Sequence, residues 1–587
     1  MKKNETAGTS LQTSAGTSLQ TCTPISASLT HEQGADVAFP RYVNIEYKFG
    51  DLNQQDHELP TFQRQNPRPL KGSTWLNKAR FFFSIKRQVS ALINNVLPFR
   101  GRGFWLTSTI LRSMFKSKSG PARVSETREN WFKYGDLNQH IQRNHWISQI
   151  ALFLFFTLIS SCTPTEKPYH PSPESHDPQI VHDLSQALTD VIVHDVFSPP
   201  VAARIYAYTH LAAYEALRWD KGTYPSLTAQ LRGFSKIPEP QDDGAIHCFP
   251  LVAAHAFVGV SKMLVFSDTM LERKVRPVFQ KLANLHLPKA VEARSIAYAD
   301  KIVAAIAERI KSDNYKETRG FSRYTPKTAA GNWEQTPPDY MDAIEPHWRK
   351  ILPFILDSAS QFKPIRPAPY SKDPASPFFK DMMFVYTTSQ TLTEEQKAIA
   401  NFWDCNPFVT HNEGHLMFAT KKITPGGHWM GIARIACLKT KADLFKSAQT
   451  YALTAVTMND AFISCWDEKY RSEYVRPETA IRNLKDPKWF PLLQTPPFPE
   501  YTSGHSVVSS ASAVVLTKLY GDSFAYVDSV EVNYGLPPRS FDSFAAAASE
   551  ASRSRLYGGI HFLPAIENGV KQGKAVGLFI VHTIITQ

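Results

Sequence analysis

The sequence predicts an all-α fold, a helical bundle carrying long Pro-rich loops, on three observations. From Asp183 onward apolar residues recur every three or four positions, the spacing that gathers side chains on one face of an α-helix. Runs with β character are few, the best being 529–533. Two Pro-rich stretches, 313–346 and 361–377, are too long for simple connections and have the length of functional loops.

The elements follow in order. Leu184, Leu188, Val191, Ile192 and Val196 make one apolar stripe, Ser198-Pro199-Pro200 breaks it, and a second helix takes 201–217. Ile296, Ala299, Ile302, Ala305, Ile306 and Ile310 share a face within a helix at 291–310. Thr393 and Gln396 stand as a capping box before a helix at 398–403. Further helices are expected at 428–438, 442–466, 505–520, 541–552 and 565–585.

Composition bounds the rest. With 587 residues, 43% of them hydrophobic, and only 6 cysteines, the chain is neither wholly disordered nor a disulfide-stapled miniprotein. The net charge of +12 suggests nucleic acid until it is located. Residues 1–161 hold 20 Lys and Arg against 10 Asp and Glu, and the remainder holds 45 against 43. The globular part is nearly neutral, so no basic surface argues for nucleic acid.

Residues 1–145 read as a leader of low order. An eight-residue tandem repeat opens at Ala7 and Ala15, and Lys48-Phe49-Gly50-Asp51-Leu52-Asn53-Gln54 is echoed at Lys133-Tyr134-Gly135-Asp136-Leu137-Asn138-Gln139. Two distant echoes do not make a solenoid. Segment 146–162 then reads as a signal peptide: Arg143 precedes an apolar run at 147–159, which is too short to span a membrane, and Ser160-Ser161 precede Cys162. That ending resembles a bacterial lipoprotein box, which implies a lipid anchor on Cys162 and a place in the cell envelope facing periplasm or cell surface. Such a signal belongs at an N-terminus, so 1–145 is either an extension or a misassigned start, with Met114 the last methionine before the run. Residues 163–180 read as a flexible tether and 181–587 as the helical domain. Cys248, Cys405, Cys437 and Cys465 show no Cys-x-x-Cys spacing and read as buried thiols rather than a metal site.

Three clusters carry chemistry. Lys469 and Arg476, with Pro477 following, stand two helical turns apart, so both cations can point one way. Alone, such a pair is usually a solvated helix face. In Pro499-Glu500-Tyr501-Thr502-Ser503-Gly504-His505, Ser503 falls at an N-cap and Gly504 bares the first turn, offering an anion seat beside an imidazole. Ser554-Arg555-Leu556-Tyr557-Gly558-Gly559-Ile560-His561 adds a guanidinium and a second imidazole. Together they suit a tetrahedral or trigonal-bipyramidal oxyanion, with one histidine bonding the central atom and the other moving protons.

The spacing Lys-x6-Arg-Pro, then Ser-Gly-His, then Ser-Arg-x5-His resembles the vanadium-dependent haloperoxidase and type 2 phosphatidic acid phosphatase superfamily. The resemblance implies that Lys469, Arg476 and Arg555 neutralise equatorial oxygens, with Ser503 and the Gly504 N–H. It implies that His561 coordinates vanadium in vanadate, or attacks phosphorus, and that His505 is the acid–base group. Trp466 and Phe498 match aromatics on the halide side of such sites, and Asp404 matches a carboxylate paired with one arginine. Thr502 stands where the family has proline. Ala565 stands where an aspartate often orients the last histidine, which puts activity in doubt.

Two reactions share such a pocket. A haloperoxidase takes hydrogen peroxide, halide and an organic acceptor, whereas an acid phosphatase takes a phosphate ester through a phosphohistidine. A third reading is an oxyanion-binding surface lipoprotein without catalysis. The aromatics and the absence of a membrane-spanning run in the body favour the haloperoxidase. His411 and His415 stand four apart but lack the His-Glu-x-x-His order of a metalloprotease.

Overall fold

The computed structural model describes residues 173–240, 246–413, 416–419 and 421–586, without the side chains of 411–420. The leader, the segment ending at Cys162, most of the tether and the His411 and His415 side chains lie outside the described residues. Those described belong to one compact unit, Asp136–Gln587.

Helices dominate, as the periodicity predicts. After a short 3-10 helix, Pro173–His176, α1 (Gln179–His194) starts inside the stretch read as tether and buries the Leu184, Leu188, Val191 and Ile192 stripe. α2 (Pro199–Leu217) begins at its proline pair, where the missing N–H would have had no helical partner anyway. Every residue of α2 is buried, the signature of a helix surrounded by others. α3 (Phe249–Lys262), α4 (Asp268–Ala283), α5 (Lys289–Ser312) and α6 (Tyr315–Arg319) complete this half. The Arg204 Nε of α2 donates to Asp313 Oδ2 at 2.6 Å, tying the end of α5 to the core.

The second half contains α7 (Pro377–Gln390), α8 (Glu394–Phe402), a hairpin of β1 (Thr410–Glu413) and β2 (Leu416–Ala419), and α9 (Pro425–Thr440). α8 carries the predicted capping box, with Thr393 accepting from the Gln396 N–H and the Gln396 side chain accepting in return. α10 (Leu444–Ser472) runs through the core, packed on α2. α11 (Pro477–Leu484) and α12 (Gly504–Tyr520) follow. Next come the strand pair β3 (Tyr526–Asp528) and β4 (Arg539–Phe541), then α13 (Phe544–Tyr557) and α14 (Leu563–Thr583). Among the described residues no helix is long and apolar enough to cross a membrane.

Three expectations are corrected. The best β candidate, 529–533, lies mostly in a 3-10 turn, Val530–Tyr534. Asp528 Oδ1 accepts from the Val530 N–H at 3.0 Å, a local bond that competes with strand pairing. α3, α4, α6, α7 and α11 had no counterpart in the sequence reading, α6 falling in the stretch 313–346 read as a Pro-rich loop. Lys469 and Arg476 do not share a helix, since α10 stops at Ser472 with Glu473 left-handed at φ 48° and Arg476 is the residue before α11.

One glycine positions the site directly. A Cβ on Gly573 of α14 would stand 2.1 Å from the Val507 carbonyl oxygen of α12. Only glycine lets the two backbones meet there, and this contact fixes the helix whose first turn carries the Ser-Gly-His cluster.

Candidate active site

The three clusters converge. The N-terminus of α12, the end of α10 and the loop after α13 help to line a cavity of about 30 Å³, and Arg476, the residue preceding α11, reaches its wall at His561. Its wall includes Trp466, Phe498, Gly504, His505, Arg555 and His561. A larger groove of about 920 Å³ lies elsewhere, against α12, α13 and α14, and holds none of these residues.

Ser503 is the N-cap of α12, its Oγ accepting from the Ser506 N–H at 3.3 Å, and its own N–H donates to the Ala565 carbonyl at 3.1 Å. Lys469 Nζ donates to the carbonyls of Pro499 and Glu500 at 2.8 and 3.0 Å, which occupies two of its three donors. Arg476 donates to the carbonyls of Phe498 and Ile560, both at 2.9 Å. Arg555 donates to the Trp403 carbonyl at 2.6 Å. Phe498 packs under both Lys469 and Arg476, each 5.0 Å from its ring centre, and its own ring lies 5.0 Å from Trp466.

All three cations are buried, and that burial weakens their hold on the proton. Desolvation pulls Lys469 down to about 7 and Arg476 down to about 10, and it lowers Arg555 against the opposing pull of Asp404. Asp404 stands 3.8 Å from Arg555, an electrostatic contact too long for a hydrogen bond. It also pairs with Lys422.

The two histidines are set differently. Arg476 Nη1 lies 3.2 Å from His561 Nε2. A guanidinium only donates, so Nε2 presents its lone pair and Nδ1 carries the proton. That proton meets Glu500 Oε1 at 2.9 Å, and the same oxygen accepts from the Phe562 N–H at 2.9 Å. Desolvation and then Arg476 hold His561 well below the usual imidazole range, while desolvation pushes Glu500 up to about 8. Both shifts oppose charge separation between the two groups. His505 is also held well below its usual range, by desolvation and then by Arg555, and hydrogen-bonds the Trp403 backbone.

The donor set fits an oxyanion such as vanadate. Three polar atoms on residues lining the cavity are buried without a partner: His505 Nε2, Arg555 Nε and Asn406 Nδ2. Buried polar groups are rarely left so unless something outside the chain completes them. Two of the three are donors, beside a helix N-terminus and three cations, so that something is an anion.

Comparison with known proteins agrees. The family model of the VCPO second helical-bundle domain matches residues 449–586. A crystal structure described as the first bacterial vanadium-dependent iodoperoxidase shares 46% identity, with 72% of this chain and 99% of that one covered and a TM-score of 0.67. The chain belongs to the vanadium-dependent haloperoxidases. A holo-type bacterial vanadium-dependent chloroperoxidase shares the fold, at 18% identity over 73% of this chain and 97% of that one, with a TM-score of 0.51. Among curated proteins nothing matches.

In this haloperoxidase the sequence reading missed Glu500. It looked for a carboxylate four residues after His561 and found Ala565, whose carbonyl instead anchors Ser503. The carboxylate arrives from 61 residues upstream. Its signal was an acidic residue inside the Pro-rich approach to Ser503. The Trp403 carbonyl, shared by Arg555 and His505, left no signal because any residue type supplies it. Cys405, Cys437 and Cys465 are buried free thiols and Cys248 is buried, as expected.

Proposed function

We propose that the chain oxidises halide with hydrogen peroxide to hypohalous acid, which halogenates an organic acceptor, using vanadate, with iodide its readiest halide. The observation that carries this is the neutral, oriented His561 beside a cavity lined by Arg555, with Arg476 3.2 Å from its Nε2 and Lys469 packed over the lining residues Trp466 and Phe498. The halide assignment leans on the 46% identity to the structure described as an iodoperoxidase.

Vanadate, when bound, supplies a Lewis-acidic centre that activates peroxide toward the halide. The protein's own atoms do the rest. His561 would hold vanadium through Nε2, with Glu500 fixing the ring and its tautomer. Lys469, Arg476 and Arg555, with the Ser503 hydroxyl and the Gly504 N–H, would take the oxygens; they sit preorganised in a dry site where such contacts are strongest. His505, neutral and with Nε2 unpartnered, is ready to accept a proton from incoming peroxide and return it to the departing oxygen. Trp466 and Phe498 form an apolar wall that keeps water from the halide side.

The apolar wall of Trp466 and Phe498 favours this reading over ester hydrolysis. We further propose that export and lipid attachment at Cys162 place the enzyme in the cell envelope, on the lipoprotein-box resemblance; palmitate labelling lost in Cys162→Ala is the check. The activity is tested by loading the chain with orthovanadate and following iodide and bromide oxidation with peroxide, beside p-nitrophenyl phosphate hydrolysis without vanadate. Vanadate-dependent iodide oxidation is expected. Phosphate release without halide oxidation would assign the site to the phosphatases.

A further inference from the structure

We propose that Cys405, His428 and Glu531 form a buried site for one divalent transition-metal ion of the zinc class, beside the oxyanion cavity and distinct from it. This departs from the reading of Cys405 as a thiol outside any metal site. His428 Nδ1 lies 2.9 Å from Glu531 Oε1, and Cys405 Sγ lies 3.5 Å from the first and 3.7 Å from the second. A single point therefore lies about 2.0–2.3 Å from all three atoms, the bond lengths zinc makes to imidazole, carboxylate and thiolate. A tetrahedral centre would hold sulfur and nitrogen about 3.5 Å apart on those bond lengths, which is the separation found.

A second observation is independent of that triangle. The other nitrogen of His428, Nε2, stands 2.8 Å from Asp528 Oδ2. A carboxylate on the far side of the ring is what orients a metal-bound histidine and fixes its tautomer. The ring is also stacked on Trp403, with centroids 4.5 Å apart. Cys405, His428, Glu531 and Asp528 are all buried. A mixed thiolate, imidazole and carboxylate set suits zinc rather than calcium or magnesium.

The exchange balances without any redox step. Metal-free, burial keeps Cys405 a thiol, and Asp528 holds the proton on His428 against the pull of burial. A divalent ion entering displaces one proton from sulfur and one from Nδ1, and the net charge of the cluster is unchanged. Three protein ligands leave a fourth position for water. The ligands come from the turn after α8, from α9 and from the 3-10 turn after β3, so the ion would staple three separate segments. Cys405 and Asn406 belong to the cavity wall, and the Trp403 carbonyl beside them holds Arg555. The role is therefore to brace the wall that aims Arg555 and His505.

The test uses the full chain and zinc or cobalt alone, without vanadate. After dialysis, mass spectrometry should find one zinc per chain, and cobalt should give a thiolate-to-metal charge-transfer band. Cys405→Ser should lose that band, and Cys405→Ser and Glu531→Gln should each retain at least tenfold less zinc, with unchanged circular dichroism. His561→Ala should keep its zinc, whether or not the haloperoxidase reading stands. Folded wild-type protein that retains no zinc overturns the proposal. So do wild-type zinc retention in both site variants and loss of zinc in His561→Ala.

Discussion

Arg204 and the cations of the cavity are buried alike, but their charge is answered differently. In the first helical half, Arg204 meets Asp313 at 2.6 Å, and Tyr208 donates to the same carboxylate oxygen at 2.8 Å. Around the cavity, Lys469 and Arg476 are answered by backbone carbonyls, and the nearest carboxylate to Arg555 stands 3.8 Å away. A closed buried pair is a structural unit whose halves depend on each other. Buried cations without such a partner lower stability until an anion arrives, so the second region is built for a ligand and the first for the fold.

The sharpest way to break this contrast is at His561, the histidine proposed to hold vanadium. His561→Ala should lower kcat for iodide oxidation by at least ~100-fold, the scale of losing one preorganised contact to the transition state, while the folded state survives. A fall in activity matched by global unfolding would erase the distinction.

Stability should respond with different size in the two regions. Asp313→Ala strands the Arg204 charge and should cost about 3–5 kcal/mol in urea unfolding. Lys469→Met removes a charge that burial disfavours, so it should cost much less even as activity collapses. Equal losses would mean the cavity cations are structural.

The same contrast has a pH signature. Lys469 gives up its proton near 7 in the folded chain but near its ordinary 10.5 when unfolded. Between those values the unfolded state binds more protons, so this group makes the vanadate-free protein more stable as pH rises from about 7 to about 10.5. Bound oxyanion should hold the lysine charged and flatten the slope. Thermal melts across that range, with and without orthovanadate, read the difference.

A smaller effect is expected at the dyad. Glu500→Gln keeps an oxygen able to accept from both the Phe562 N–H and His561 Nδ1 but can no longer become the anion that supports His561, and should weaken vanadate binding by about 10–100-fold. An unchanged affinity would make Glu500 a packing residue.

Much of this was legible in the sequence, for reasons particular residues make plain. Apolar periodicity exposed α1 and α5, and Thr393 with Gln396 marked the start of α8, because these are signals within a few residues. Lys469, Arg476, Ser503, Gly504, His505, Arg555 and His561 were legible because their spacings form a resemblance. Their relative placement was not. The two cations sit on opposite sides of a left-handed residue at Glu473, which spacing alone could not foresee. Glu500 and the Trp403 carbonyl reach the site only through tertiary folding. Helices α3 and α4 were passed over, α4 carrying a proline, Pro277, inside it.

The most direct test of the central claim is a calorimetric titration of orthovanadate into the vanadate-free chain, repeated with Arg555→Met and Asp313→Asn. The account predicts one vanadate per chain, binding weakened at least tenfold by the Arg555 substitution, and unaltered affinity in whatever fraction of the Asp313 variant stays folded. Absence of vanadate binding by the folded wild-type chain, or equal affinity in the Arg555 variant, would contradict it.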